Sequence, residues 1–190
     1  MSYVPVGSGG AVGAWEFIST ATISNDATVD IDLTGTHKMF VLHIDNLIPA
    51  NDASEFLWMR FSTNGGSSFL EGASDYAWAN RGASGIIDLF ADQDATDSKI
   101  IITRDTDREL GTTAGESLNG FVYIHNANQT ARAVIATTEI CYVDSEADII
   151  SLNTRGALIA NIDEVDAVQF LASSGNLTSG RISLYGVNDA

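Results

Sequence analysis

Hydrophobic and polar residues alternate with a period of two along most of the chain, and this pattern predicts β-strands. The clearest case is residues 29–34, where Val29, Ile31 and Leu33 share one face. Residues 38–46 are apolar on both faces, which predicts a central strand covered on both sides. Strands are also predicted at residues 15–23, 55–63, 73–79, 86–90, 99–103, 119–125, 131–143, around Leu158, 165–172 and 178–187.

Turn-forming residues separate these segments and complete the fold prediction. Asparagine and glycine at residues 64–68 predict a tight turn, and residues 173–176 predict a hairpin that joins the last two strands. The only helical signal is one or two turns near residues 105–110. We therefore predict an all-β protein, an antiparallel β-sandwich of jelly-roll-like form. One domain is expected at residues 15–190, preceded by a flexible N-terminal arm at residues 1–14.

Large apolar and aromatic side chains at alternating strand positions are the predicted core. Their burial should account for much of the stability of a domain of this size, because removing one buried large side chain typically costs about 3–5 kcal/mol. The predicted core residues are Trp15, Phe40, Leu42, Phe56, Trp58, Phe61, Phe170, Leu184 and Tyr185.

The charge of the chain disfavours some classes of binding partner. With 25 acidic residues against 9 basic ones, the formal net charge is −16. Long-range repulsion therefore disfavours direct binding to nucleic acid or to an anionic membrane surface. The N-terminus lacks the basic and apolar regions of a secretory signal, so we expect synthesis in the cytoplasm.

The residues that most often carry catalysis or bind metals are sparse. The single cysteine, Cys141, lies in an apolar β-rich segment and is predicted to be buried. The histidines are His37, His43 and His125, and their spacing does not place two of them on one face. Sequence motifs for acyl transfer, phosphoryl transfer and dinucleotide binding are also missing, so we expect a non-enzymatic protein without a cofactor.

Two segments are candidates for binding. Asp92, Asp94 and Asp97 supply hard oxygen ligands at roughly the spacing of a calcium loop, although the turn glycine and terminal glutamate of an EF-hand are absent. We expect a solvated acidic loop without a bound metal, and calcium binding is the alternative. Tyr76 and Trp78 share one face of a short predicted strand and could stack on a sugar, together with loops at 64–68 and 92–97. The alternative is that both rings belong to the core or to a subunit interface.

Four stretches, at residues 15–20, 45–50, 57–69 and 165–187, carry a resemblance to a known group of proteins. The last stretch combines a serine–glycine turn with a closing strand that ends in Leu184, Tyr185 and Gly186. Together they resemble the small β-rich virion structural proteins of tailed bacteriophages. Members of that group decorate capsids or belong to tails and fibres, and the shared motifs are structural rather than catalytic.

The resemblance implies a virion protein made in the cytoplasm of a bacterial host. We expect it to decorate or cement the capsid exterior, because catalytic motifs are missing and a net charge of −16 disfavours a position facing DNA. It also implies a homo-oligomer, with a trimer favoured over a dimer, in contact with the major capsid protein. The N-terminal arm is the expected anchor, because an extended segment can add a strand to an exposed sheet edge and bury Tyr3, Val4 and Val6. The alternative function is a carbohydrate-binding module of a tail or head fibre that recognises host glycans.

Overall fold

The computed structural model describes residues 15–37, 39–52, 55–85, 89–104, 106–160 and 163–187. Within these ranges the chain forms strands and no helix, so no helix there could span a bilayer. The described strands are β1 (Trp15–Asp26), β2 (Thr28–Asp32), β3 (Met39–Pro49), β4 (Leu57–Ser62), β5 (Tyr76–Ser84), β6 (Leu89–Asp97), β7 (Ile100–Ile101), β8 (Leu118–His125), β9 (Ile135–Val143), β10 (Ile149–Leu158), β11 (Ala167–Ala172) and β12 (Leu177–Val187).

The strands form two antiparallel sheets that pack as a sandwich. The larger sheet has eight strands in the order β1-β12-β3-β8-β9-β10-β5-β6, and the smaller has four in the order β2-β11-β4-β7. The prediction of an all-β antiparallel sandwich is thus confirmed. The predicted arm, residues 1–14, lies outside the described residues.

The first and the last pair of consecutive strands each pass from one sheet to the other. β1 leads from the large sheet into β2 of the small sheet, and β11 of the small sheet leads into β12 of the large one. β1 pairs with β12, and β2 pairs with β11, so the two segments run together across both layers. The predicted hairpin between the last two strands is therefore wrong. The turn at residues 173–176 exists, but it carries the chain between sheets.

Strict alternation of buried and exposed positions explains why these residues form strands. In β9 and β10 every second side chain points into the sandwich, including Ile140 and Tyr142 from β9 and Ile150 and Leu152 from β10. The intervening residues face away from the core. Burying one apolar face per sheet is the main stabilising contribution in such a sandwich.

Most of the predicted core is confirmed. Phe40, Leu42, Phe61, Phe170 and Leu184 are fully buried between the sheets. The other four positions are less enclosed: Phe56, Trp58 and Tyr185 are half-buried, and Trp15 is exposed. Trp15 was predicted wrongly because it lies at the start of an edge strand, on the face of the large sheet that points away from the core.

Several predicted segments differ from the structure in position or type. The strand predicted at 73–79 begins at Tyr76 and runs to Ser84, and residues 92–97, predicted as a loop, belong to edge strand β6. Residues 106–110 form no helix, and Leu110 instead makes an isolated bridge with Asp144. An acidic segment can be a strand here because β6 uses only one edge for pairing. Asp94 is exposed to water, and Asp92 and Asp97 lie near the basic side chains of Arg104 and Lys99.

Buried charged groups hold the loops at one end of the sandwich. Arg108 donates hydrogen bonds to Asp144 at 3.3 Å, and to Glu146 and Asp148 at 2.8 Å each. Asp144 is fully buried and also accepts hydrogen bonds from the backbone N–H groups of Glu146 and Asp148. These contacts leave the buried carboxylate of Asp144 fully satisfied.

Candidate binding face

The outward face of the eight-stranded sheet, called the outer face below, collects exposed side chains from many strands. Cross-strand register aligns them in rows, because residues paired between neighbouring strands point to the same side. One row runs through Thr20, Ser183, His43, Phe121 and Glu139. The next row runs through Phe17, Tyr185, Val41, Tyr123 and Thr137.

Five aromatic rings form a cluster on this face, called the aromatic cluster below: Trp15, Phe17, Phe121, Tyr123 and Tyr185. Trp15 lies 5.9 Å from Tyr185 and 6.1 Å from Phe121, measured between ring centroids. Phe17 lies 5.7 Å from Tyr185, and Phe121 lies 6.2 Å from Tyr123. These separations fall within the range in which aromatic pairs attract one another. The cluster therefore joins residues of β1, β12 and β8 into one surface.

His43 and Val41 complete this surface from β3. The His43 ring stacks on Phe121 with centroids 4.8 Å apart. Val41 is fully buried although it does not belong to the main core, and its cross-strand neighbours are Tyr185 and Tyr123. The aromatic cluster thus has a small apolar floor of its own. The expectation that β3 is covered on both sides holds at Val41, where the cover is aromatic side chains rather than another sheet.

The aromatic cluster remains open to solvent at its outer end. Trp15 is 44% exposed and Phe17 is 59% exposed, and both lie on β1, an edge strand of the large sheet. Isolated exposed apolar residues are common, but a contiguous group of exposed rings on an edge strand is typical of an interaction surface.

A shallow depression of about 560 Å³ adjoins the aromatic cluster. Its lining includes Phe121, His43, Glu139 and Asn153. Two smaller depressions, of about 190 and 290 Å³, continue it past Arg155 to Arg81. Burial raises the pKa of Tyr123, and the negative charge of Glu139 raises it further. The charge of Glu139 therefore affects the phenol of Tyr123, which lies at the edge of the aromatic cluster.

Arg81 and Arg155 differ from most basic residues of the described chain, because neither makes an ion pair or hydrogen bond there. Both are exposed on the outer face, and they line the same depression. By contrast, five other basic side chains have a carboxylate within 4 Å: Arg60, Lys99, Arg104, Arg108 and Arg181.

The predicted sugar contact at Tyr76 and Trp78 is not available, since both rings are core residues. Tyr76 is 0% exposed, and its hydroxyl accepts from the Phe61 N–H at 2.8 Å and donates to the Leu70 carbonyl at 3.1 Å. Trp78 is 5% exposed, and its indole N–H donates to Asp97 at 2.9 Å. Both residues lie on the inner face of β5, so the alternative of a core role is correct.

The three aspartates of the candidate calcium site have separate partners. Asp97 accepts hydrogen bonds from Trp78 and from the Lys99 ammonium at 2.9 and 2.8 Å. Asp92 lies 3.8 Å from Arg104, and Asp94 accepts from the Thr96 N–H. Across the described ranges, no group of three or more potential ligands could hold a metal ion. The three aspartates therefore do not come together as a calcium site in this arrangement.

The remaining predicted residues have simple positions. Cys141 is exposed on the outer face, so the prediction of burial is wrong. Its neighbours Ile140 and Tyr142 take the inward positions of β9. His37 lies 3.8 Å from Glu16, and His125 lies 3.5 Å from the Thr137 hydroxyl. The predicted anchor residues Tyr3, Val4 and Val6 lie outside the described residues.

Sequence reasoning missed the aromatic cluster as a unit. Phe121 and Tyr123 alternate with Val122 and Ile124, so both phases of β8 are apolar and either one could face the core. The structure places Val122 and Ile124 inside and the two rings outside. The apolar residues in both phases of β8 were the sequence signal that its outer side is also covered, in this case by the aromatic cluster.

Comparisons of this chain with protein-family models, with curated proteins and with solved structures found no match.

Proposed function

We propose that this protein is a non-enzymatic structural component of a bacteriophage virion, and that it decorates or cements the exterior of the capsid. The observation that carries the proposal is edge strand β1, with its exposed aromatic rings. Such a strand favours association with another protein surface. The resemblance of the closing strand and of the segments at residues 15–20, 45–50 and 57–69 to phage virion proteins supports the choice of a virion.

The two edge strands of the large sheet, β1 and β6, differ in the charged residues that they carry. β1 has 12 residues, about twice the usual strand length of roughly 5–6, and its only charged residues are Glu16 and Asp26. β6, at the other edge, has Asp92, Asp94 and Asp97, and charged side chains of this kind oppose pairing with another strand. A β-bulge between Phe17 and Ser19 divides β1, but it leaves Trp15 and Phe17 on the outer face.

Aromatic residues are enriched where proteins bind one another, because they bury a large area with few rotatable bonds. Trp15 and Phe17 extend the aromatic cluster to the β1 edge, so a partner could add backbone hydrogen bonds and cover rings at the same place. We propose that the partners are other copies of this chain and the major capsid protein. A trimer is the proposed oligomer because the proteins that this chain resembles often form trimers.

Charge supports an exterior position. The net charge of −16 would repel packaged DNA, whereas it favours solubility on the outside of a particle. A structural role is also consistent with the contacts of the buried carboxylates, which hold loops rather than face a ligand. Asp144 is engaged by Arg108, and fully buried Glu55 accepts a hydrogen bond from the Asn51 amide at 2.7 Å. Both groups hold loops in place.

The test is assembly of the purified chain and its retention on particles. Wild-type protein should sediment at about three times the 20.2 kDa mass of one chain, and should raise the temperature at which particles lacking it release their DNA. Phe17→Asp should weaken both effects, because a carboxylate at the β1 edge would have to be buried in the interface. Leu89→Asp introduces the same charge at an exposed apolar residue of the β6 edge, so it is the matched control and should behave as wild type.

A wild-type chain that stays monomeric and leaves the release temperature of the particles unchanged would contradict the proposal. If Phe17→Asp and Leu89→Asp reduced trimer formation and particle stabilisation equally, the effect would come from the added charge alone. The proposed role of β1 would then be wrong.

A further inference from the structure

Arg81 and Arg155 are close neighbours on the outer face. Asn153 of β10 pairs directly with Arg81 of β5, and Arg155 follows two residues later on the same side of β10. Diagonal neighbours of this kind are roughly 7–8 Å apart, so a single small group can lie between two arginine side chains. Both guanidinium groups are exposed and have no partner among the described residues, so all of their donors are available to a ligand.

Two adjacent cations without an acidic partner are unexpected in a chain with 25 acidic residues. The two guanidinium groups repel each other, and an anionic group between them would offset that repulsion. Arginine binds carboxylate and phosphate through paired, charge-assisted hydrogen bonds. The pair is therefore suited to an acidic group on a ligand.

The surrounding surface offers groups that suit hydroxyls. The Asn153 amide N–H₂ donates to the Thr138 carbonyl at 2.8 Å, and its amide oxygen has no partner in the described part of the chain. Glu139 lines the same depression as Arg155 without forming an ion pair with it. Gln93 lies beside Arg81 in the adjoining depression. An acceptor, a carboxylate and an amide spaced along an open surface match the alternating hydroxyl groups of a sugar chain.

An aromatic ring completes the arrangement. Tyr123 lines the depression that contains Glu139, Asn153 and Arg155, and it stacks with Phe121 at the border of the aromatic cluster. A flat ring provides an apolar surface for the C–H face of a pyranose, while its hydroxyl remains free to bond with solvent or ligand. The depressions are shallow and open, which suits an extended oligosaccharide better than an enclosed small molecule.

We infer that the outer face binds an acidic saccharide, with its acidic group held by Arg81 and Arg155 and its hydroxyls by Asn153 and Glu139. A sugar ring lies against Tyr123. The acidic group is a carboxylate or a phosphate, since both fit the same pair of arginines. A nucleic acid is disfavoured, because every phosphate beyond this pair would meet a protein of net charge −16. The inference does not depend on the proposed role in the virion.

The experiment measures binding of the full chain to matched oligosaccharides by isothermal titration calorimetry. The probes are a uronic-acid hexasaccharide, the same hexasaccharide with its carboxyl groups reduced to alcohols, and a phosphate-bearing hexasaccharide. Wild type should bind at least one acidic probe about tenfold or more tightly than the reduced probe. The double variant Arg81→Gln/Arg155→Gln should lose about tenfold or more of that affinity.

Arg132→Gln is the matched control, because Arg132 is also exposed and unpaired in the described chain but does not line these depressions. It removes one positive charge, half of what the double variant removes, and should change the affinity less than about twofold. Tyr123→Ala should weaken the binding of both the acidic and the reduced probes, since stacking of a sugar on the ring does not depend on charge. Circular dichroism of each variant checks that the fold is retained.

Three outcomes would overturn the inference: no binding of any acidic probe by wild type, equal loss with the double variant and with Arg132→Gln, or equal affinity for the acidic and reduced probes. An acidic hexapeptide that binds more tightly than every acidic saccharide would also overturn it, because the site would then recognise protein.

Discussion

The hydroxyl of Tyr76 accepts a hydrogen bond of 2.8 Å from the backbone N–H of Phe61, and this bond joins the two sheets. Tyr76 belongs to β5 of the large sheet, and Phe61 belongs to β4 of the small one. The same hydroxyl donates to the Leu70 carbonyl at 3.1 Å. Burial raises the pKa of Tyr76, so the phenol stays protonated and keeps its donor.

Tyr76→Phe should destabilise the fold by about 1–3 kcal/mol, because the buried N–H of Phe61 would lose its acceptor. Tyr123→Phe removes a hydroxyl from the half-exposed outer face and should change the free energy of unfolding by less than about 0.5 kcal/mol. Urea denaturation of the two variants makes the comparison. Equal effects would mean that the bond between the sheets contributes little.

Asp97 should make the stability depend on pH. Burial alone would raise its pKa, but hydrogen bonds from Lys99, Trp78 and Ser98 outweigh this and lower it below the ordinary value of 3.8. A lowered pKa contributes stability that is present above the ordinary value and is lost as the pH falls through the lowered one. The stability difference between wild type and Asp97→Asn should therefore be largest near neutral pH and shrink below about pH 4.

Denaturation at several pH values tests this, with Asp94→Asn as the control. Asp94 is exposed and, among the described residues, accepts a hydrogen bond from the Thr96 N–H alone, so Asp94→Asn should keep the pH profile of wild type. A difference between wild type and Asp97→Asn that stays constant from neutral pH to pH 3 would contradict the assignment.

Deletion of residues 2–12 should separate folding from retention on particles. The described domain begins with β1 at Trp15, so the truncated chain should keep its β circular dichroism spectrum and its melting temperature. We expect it to be lost from virions, because Tyr3, Val4 and Val6 are the proposed anchor. Quantitative mass spectrometry of purified particles gives the occupancy. Full occupancy by the truncated chain would place the anchor in another part of the protein.

Alternation along the sequence was sufficient to predict the strands and most of the core. Phe170 and Leu184 lie in strands with one more apolar phase, Phe40 and Leu42 lie in the strand predicted to be covered on both sides, and all four are buried. Alternation identifies two faces but does not say which one meets the second sheet. Cys141 and Trp15 were misplaced for that reason, since each lies among apolar neighbours on a strand of the large sheet.

Other errors concern information that local sequence does not contain. A turn at residues 173–176 has the same residues whether its strands stay in one sheet or separate into two. Asp92 and Asp97 suggested a loop because pairing of β6 with β5 depends on backbone contacts that the side chains do not reveal. The pair formed by Arg81 and Arg155 also depends on the register of β5 and β10, residues distant in sequence.

The position of β12 has a consequence for synthesis on the ribosome. β12 lies between β1 and β3, so both of these early strands lack a neighbour until residues 177–187 have left the exit tunnel. β3 is among the most apolar strands of the chain, and it must remain half-paired throughout that interval. Contacts between such distant segments form slowly, and unpaired apolar strands aggregate in the meantime. Productive expression should therefore respond to slower translation, lower temperature or added chaperones more strongly than the stability of the finished fold would suggest.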